Sequence, residues 1–214
     1  MKNNNYCTIY LVRHGQSHGN HPVDTYGLDK ELTEKGREQA KEAAKKLKKI
    51  KFDVIFASPL IRAQQTAKII AAEHKLAVLT KEMLKERYHG VLEGRATAEA
   101  KKEINEQITK MYNTPYDEWK STPLAEGRET DEQAMSRFII ALREIAVAYP
   151  GKTVLTISHT SIMRTFLVHL GFKSYKELAD YKITNTAFVK LKTDGIDFFI
   201  EETQGIEPKE HINA

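Results

Sequence analysis

Thr8-Ile9-Tyr10-Leu11-Val12-Arg13-His14-Gly15 reads as a short buried strand that stops at a charged turn. Apolar and β-branched residues on successive positions predict a strand covered on both faces, ending at Arg13. Thr153 to Ile157 repeats the pattern and runs into Ser158-His159-Thr160, the start of a helix reaching Gly171. Between them, Thr33 with Glu34, Lys35 and Gly36 opens a helix whose Ala40, Ala43, Ala44, Leu47 and Ile50 recur at helical spacing. Asp53 to Ala57 is a second strand. Ser58-Pro59 then breaks into a helix with Pro59 near its first turn, carrying Ala63, Ala67 and Ile70 inward. Leu76 to Leu79 reads as another strand.

Thr130 and Gln133 form a capping box before a helix that buries Met135, Phe138, Ile139, Leu142 and Ile145. Thr186 to Leu191 and Asp197 to Glu202 read as a closing strand pair, and the polar tail over 204–214 is expected to fray. Ala96 to Gly127 is polar and weakly periodic, with Asn113, Pro115 and Pro123, and is expected to be a helical, lid-like insertion over the active site. Strands alternating with helices predict an α/β fold, a three-layer α/β/α sandwich with a mainly parallel central sheet. Residues 1–214 are expected to form a single domain. In such sheets ligands sit beyond the carboxyl ends of the strands, and two of these strands end in a histidine.

Composition narrows the function classes. The chain is 41% hydrophobic and 29% charged, the balance of an ordinary globular protein. No apolar run nears the roughly 20 residues that cross a bilayer, and the opening apolar patch is too short for a secretory signal. A single cysteine, Cys7, excludes an intramolecular disulfide framework and fits a reducing cytoplasm. The net charge of +4 is modest, and Lys41, Lys45, Lys46, Lys48 and Lys49 read as a solvated helix face, not a nucleic-acid patch. Neither a membrane nor a nucleic-acid partner is expected; a homodimer stays open.

Singly, the chemistry-bearing residues are ambiguous. Arg13-His14-Gly15 alone reads as a surface turn before it reads as a phosphate site. His14, His18 and His21 crowd together as metal ligands would, but Gly15, Gly19 and Pro22 oppose the helix that would put them on one face. No metal site is expected. Arg62 alone reads as an exposed helix arginine, Glu86 as a surface carboxylate, and His159 as a helix cap or a satisfied core histidine.

Together they form a pattern. Arg13-His14-Gly15 with Ser17 and Asn20 resembles the signature of the histidine phosphatase, or phosphoglycerate mutase-like, superfamily. So do Gly27 to Ala40, Ser58 to Ala67, Leu84-Lys85-Glu86-Arg87 with Gly90 and Glu93-Gly94, and Ser158-His159 with Arg164. The resemblance implies that His14 accepts a phosphoryl group as neutral imidazole, its other ring nitrogen bonded to backbone at Gly15. Arg13, Arg62 and a protonated His159 would clamp the phosphoryl oxygens, and Glu86 would protonate the leaving alkoxide. Gly15, Ser17, Asn20, Arg87, His89 and Thr160 fall at further substrate-contacting positions, His89 where the mutase branch has a tyrosine.

Three departures from the family bear on substrate. Gln16 replaces a common glutamate, and Thr160 replaces the glycine after the second histidine. The insertion lacks the adjacent arginine pair of bisphosphoglycerate-dependent mutases; Lys101, Lys102 and Lys110 are spaced differently. A mutase needs extra positive charge and a closing lid. The implied function is therefore metal-independent, cofactor-free hydrolysis of a small phosphorylated metabolite through a phosphohistidine. The alternatives are a mutase using a bisphosphoglycerate primer and a catalytically silent phosphate-binding module.

Overall fold

The central strand of the sheet, β1 (Cys7–Arg13), sends alternate side chains to opposite faces. Cys7, Ile9 and Leu11 join one apolar cluster, Tyr10 and Val12 another. This computed structural model describes residues 6–18 and 25–209. In chain order β1 is followed by α1 (Glu34–Leu47), β2 (Val54–Ala57), α2 (Ile61–His74), β3 (Val78–Thr80), α3 (Thr97–Lys110), α4 (Tyr116–Trp119) and α5 (Asp131–Ala148). Then come β4 (Thr153–Ser158), α6 (Thr160–His169), α7 (Tyr175–Leu178), β5 (Tyr181–Thr193) and β6 (Phe198–Pro208).

The six strands lie in the order β3-β2-β4-β1-β5-β6. The first four are parallel, while β5 runs antiparallel to β1 and β6 antiparallel to β5. Ala43, Leu47, Ala63 and Ile70 of α1 and α2 cover one face; Phe138, Leu142, Phe166 and Leu167 of α5 and α6 cover the other. The result is the expected α/β/α sandwich. Residues 97–124 carry a cluster of their own, in which Ala100, Ile104, Trp119 and Leu124 pack with Leu92.

Local signals account for the helix starts. Thr33 Oγ1 accepts from Gly36 N–H at 3.0 Å, and the Thr130–Gln133 capping box is complete. α2 begins at Ile61, with Pro59 just ahead of its first turn as expected. No cap residue serves α2; Asp29 does so from a distance, its carboxylate accepting from Ile61 N–H at 2.9 Å and 3.0 Å.

The frayed-tail expectation is overturned between Gln204 and Pro208. These residues belong to β6 and pair with β5 in registers that include Phe188↔Gln204 and Tyr181↔Pro208. The polarity that suggested fraying belongs to the solvent side, while Ile200 and Ile206 pack against the core. Residues 210–214 lie outside the described residues.

Gly15 and Gly36 explain how the loop after β1 rests on α1. A Cβ at Gly36 would stand 1.9 Å from the Gln16 carbonyl oxygen, and one at Gly15 2.5 Å from that of Gly36. Both obstacles are backbone, so neither yields as a flexible side chain would. Gly36→Ala is expected to destabilise the fold by about 2 kcal/mol or more, as overpacking does. It should also disturb the loop carrying His14, and urea unfolding with a phosphatase assay checks both effects.

Candidate active site

The carboxyl ends of β1 and β4 meet side by side. Arg13 pairs in register with Ser158, and His14 N–H donates to the Ser158 carbonyl at 3.0 Å. The next residue on each chain is a histidine, and the His14 and His159 rings lie 5.1 Å apart between centroids. Both are buried, His14 at 3% exposure and His159 at 0%.

Two contacts decide the tautomer of His14. Nδ1 lies 2.6 Å from the Gly15 carbonyl oxygen, and the Arg62 Nε–H donates to Nε2 at 3.2 Å. A carbonyl only accepts and a guanidinium only donates, so the hydrogen is on Nδ1 and Nε2 keeps its lone pair. Burial first, then the charges of Arg62 and Arg13, hold the His14 pKa well below 6.5, against the opposing bond to Gly15. His14 is thus a neutral imidazole with an unprotonated nitrogen beside two guanidinium groups.

α2 supports the nucleophile loop from one face. Arg62 also donates to the Leu28 carbonyl and to Asp29, at 3.3 Å and 3.4 Å. One turn on, Thr66 Oγ1 accepts from Gly15 N–H at 3.1 Å. Gly15 therefore orients His14 through its carbonyl, and its N–H is committed to Thr66. On the sheet side, Asn185 Nδ2 donates to the His14 carbonyl at 3.1 Å, and Arg13 donates to that of Ile183.

His159 shares a 2.7 Å hydrogen bond with Ser58 Oγ through Nε2, while its buried Nδ1 has no partner among the described residues. The clamp in the sequence reading required this ring to be protonated. Burial, followed by the charges of Arg62 and His14, instead presses its pKa well below 6.5, so His159 is neutral in this structure.

Glu86 is held at the start of α6. Its carboxylate accepts from Ser161, Ile162 and Arg87 N–H groups, each at 2.9 Å. Oε1 takes two of these and Oε2 one, so a lone pair on Oε2 stays available to a proton. Arg137 braces the segment, donating to the carbonyls of Met83, Lys85 and Glu86 while pairing with Glu129.

A cavity of about 580 Å³ opens here, lined by Arg13, His14, Ser17, Arg62, Glu86 and Thr160 among others. His89 also lines it, its ring tilted against Tyr26 with centroids 4.4 Å apart, its pKa driven down to about 3 by burial and then by Arg128. Arg87 does not reach the cavity. It is spent on a buried ion pair with Asp131 and a 2.8 Å bond to Thr165 Oγ1, which corrects its expected role as a substrate contact. Asn20 lies outside the described residues.

Sequence reasoning assigned no role to Ser58, Thr66, Asn185, Arg128 or Arg137. Thr66 alone carried a signal, one turn beyond Arg62 on the same helix face. The insertion also supplies more than was read from it. Lys101 of α3 lines the cavity, and so does Arg128, the residue that follows the insertion. The extra positive charge that seemed missing is present.

A neutral histidine beside two arginines, with a second histidine at the neighbouring strand end and a carboxylate lining the same cavity, is an arrangement suited to phosphoryl transfer. The family model of the histidine phosphatase superfamily (branch 1) matches residues 9–204, and the chain belongs to that family. It is 32% identical over 183 residues to a 2,3-bisphosphoglycerate-dependent phosphoglycerate mutase of Mesorhizobium japonicum, covering 82% of this chain and 87% of that one. It is also 32% identical over 161 residues to phosphoserine phosphatase 1 of Hydrogenobacter thermophilus, covering 73% and 72%. In structure it resembles YhfR of Bacillus stearothermophilus with a TM-score of 0.77 at 24% identity, covering 93% of this chain and 96% of that one. Among the described residues no helix is long and apolar enough to cross a membrane.

The three buried neutral histidines set a pH dependence of stability. His14, His89 and His159 have folded pKa values below 6.5, so the unfolded chain binds more protons and stability rises with pH. The gain is complete above the unfolded value and is lost as pH falls below about 6.5. As pH falls from 6.5 to 5, proton uptake on unfolding should grow from about half a proton per ring, measured as the pH slope of the urea-unfolding free energy. A flat profile over that window would contradict the buried neutral rings.

Proposed function

We propose that this protein is a phosphomonoester hydrolase working through a phosphohistidine on His14, with a small phosphorylated metabolite as substrate. The observation that carries this reading is the pinned tautomer of His14, whose Nε2 lone pair faces Arg62. A histidine held this way is a nucleophile that needs no deprotonation before it attacks.

In the first half-reaction Nε2 bonds to phosphorus as the ester P–O bond breaks, and Arg62 passes from Nε2 to the phosphoryl oxygens. Arg13 supplies a second guanidinium for the charge spread over those oxygens. A phosphate dianion beside His159 opposes the charges that keep the ring neutral, favouring its protonation and a third donor. Protonated Glu86 gives its proton to the leaving alkoxide. In the second half-reaction the Glu86 carboxylate takes a proton from water as the oxygen attacks the phosphohistidine, releasing phosphate and restoring both groups. Ser17, His89 and Thr160 line the proposed surroundings of the substrate, Asn20 is a further proposed contact, and Gly15 acts by orienting His14.

The mutase alternative draws on one observation, the additional cations Lys101 and Arg128 in the cavity. Interconversion of 2- and 3-phosphoglycerate with a bisphosphoglycerate primer distinguishes it. Hydrolysis is favoured because Glu86 suffices to activate water, whereas a mutase must also exclude it.

Phosphate release in the presence of EDTA is expected to persist in the wild type and to vanish in His14→Ala, with the variant's circular dichroism unchanged. Dependence on added magnesium or zinc would overturn metal independence. Transfer of label from a phosphomonoester to the wild-type protein, but not to His14→Ala, would exclude a silent binding module. Glu86→Gln should slow alkyl phosphates by about 10²-fold or more, the usual scale of general acid catalysis, and p-nitrophenyl phosphate far less. Equal losses on both would mean that Glu86 is not the acid.

A further inference from the structure

The chemistry proposed above leaves one buried cation without a task. Arg128 is only 5% exposed and lines the same cavity as His14 and Glu86. Its Nε and Nη1 have no hydrogen-bond partner among the described residues. A buried guanidinium without a counter-charge is costly, because desolvation is not offset by pairing. The neighbouring acids are already engaged. Asp131 holds Arg87 and the hydroxyls of Tyr116 and Tyr175, and Glu129 holds Arg137.

The backbone is arranged to keep Arg128 there. Residues 126–129 lie against 88–91, with Val91 N–H donating to the Glu126 carbonyl at 3.1 Å and Glu129 N–H to that of Tyr88 at 3.0 Å. His89 and Arg128 form an antiparallel bridge between the two segments. Gly90 makes the approach possible at a φ of +59°, where a Cβ would meet the Glu126 carbonyl oxygen at 2.1 Å and the Arg128 nitrogen at 2.5 Å. Lys101 adds a second cation from α3, and Glu86 and Asp131 are the only carboxylates among the described lining residues.

We propose that Arg128 is a specificity-determining residue of a second anion subsite, receiving a carboxylate or a second phosphate at the end of the substrate remote from His14. The inference rests on the hydrolase reading of this cavity and names the substrate class: phosphomonoesters bearing another anionic group. The guanidinium fork suits either anion in bidentate contact. A cavity of about 580 Å³ is of the size that encloses a small metabolite.

The test compares three esters on one carbon skeleton: glycerol 1-phosphate, 3-phosphoglycerate and glycerol 1,3-bisphosphate. Their far ends are neutral, carboxylate and phosphate. In the wild type, kcat/KM is expected to favour one or both anionic esters over the neutral one by about ten- to a hundredfold, the worth of a charge-assisted contact. The preferred ester identifies the anion. Arg128→Met should collapse that ratio and Arg128→Lys should retain part of it. Thermal melting should show Arg128→Met at least as stable as wild type, since it removes an unpaired buried charge. A wild-type preference for the neutral ester, or an unchanged ratio in Arg128→Met, would overturn the subsite. Equilibrium binding of the same esters to His14→Ala protein, with and without Arg128→Met, needs no turnover. Anion-selective binding that depends on Arg128, without hydrolysis in the wild type, would uphold the subsite and reject the hydrolase; loss of that selectivity would reject the subsite alone.

Discussion

A single backbone hydrogen bond, from His14 N–H to the Ser158 carbonyl, joins the ends of two parallel strands where the chemistry is concentrated. It continues the β1–β4 ladder one residue past Arg13, so the register that buries Ile9 and Leu11 also brings His14 beside His159. Core packing and site geometry are therefore one constraint. A one-residue slip between these strands would turn their apolar residues to the wrong faces and separate the two rings.

The electrostatics of the site follow from that burial. Two histidines stripped of water and flanked by Arg13 and Arg62 stay neutral, which leaves His14 with an unprotonated Nε2. The arginines pay with desolvation of their own, and Arg13 is lowered to about 10 chiefly by burial. Such a group of fixed cations suits an anion arriving from solvent better than any partner within the chain.

Much of this was legible in the sequence because the informative signals are local. Apolar runs stop at Arg13 and Ser158, Thr33 and Thr130 cap their helices, and Lys41, Lys45, Lys46, Lys48 and Lys49 are exposed as their helical spacing implied. What stayed hidden depends on partners distant in the chain. Arg87 reads as a substrate contact until Asp131 is seen to take it, and His159 reads as a cation until its burial is known. Arg128 means nothing without Gly90 to admit its backbone. The tail seemed frayed because a strand with one wet face and few apolar residues gives a weak alternation, and β5 supplies the ladder that sequence cannot display.

Among the described residues, His14 is held by its neighbour Gly15, by the sheet and by α2. Arg62 and Thr66 reach it from one helix, Ser158 and Asn185 from two strands, and none of the hydrogen bonds that orient it comes from residues 96–127. The hydrogen bonds that orient His14 are thus separate from the segment that shapes another side of the cavity. Substitutions, insertions and breathing motions in that segment can retune which molecule enters without misaligning the nucleophile. The wall of the cavity can thereby change without a change in the atoms that hold His14.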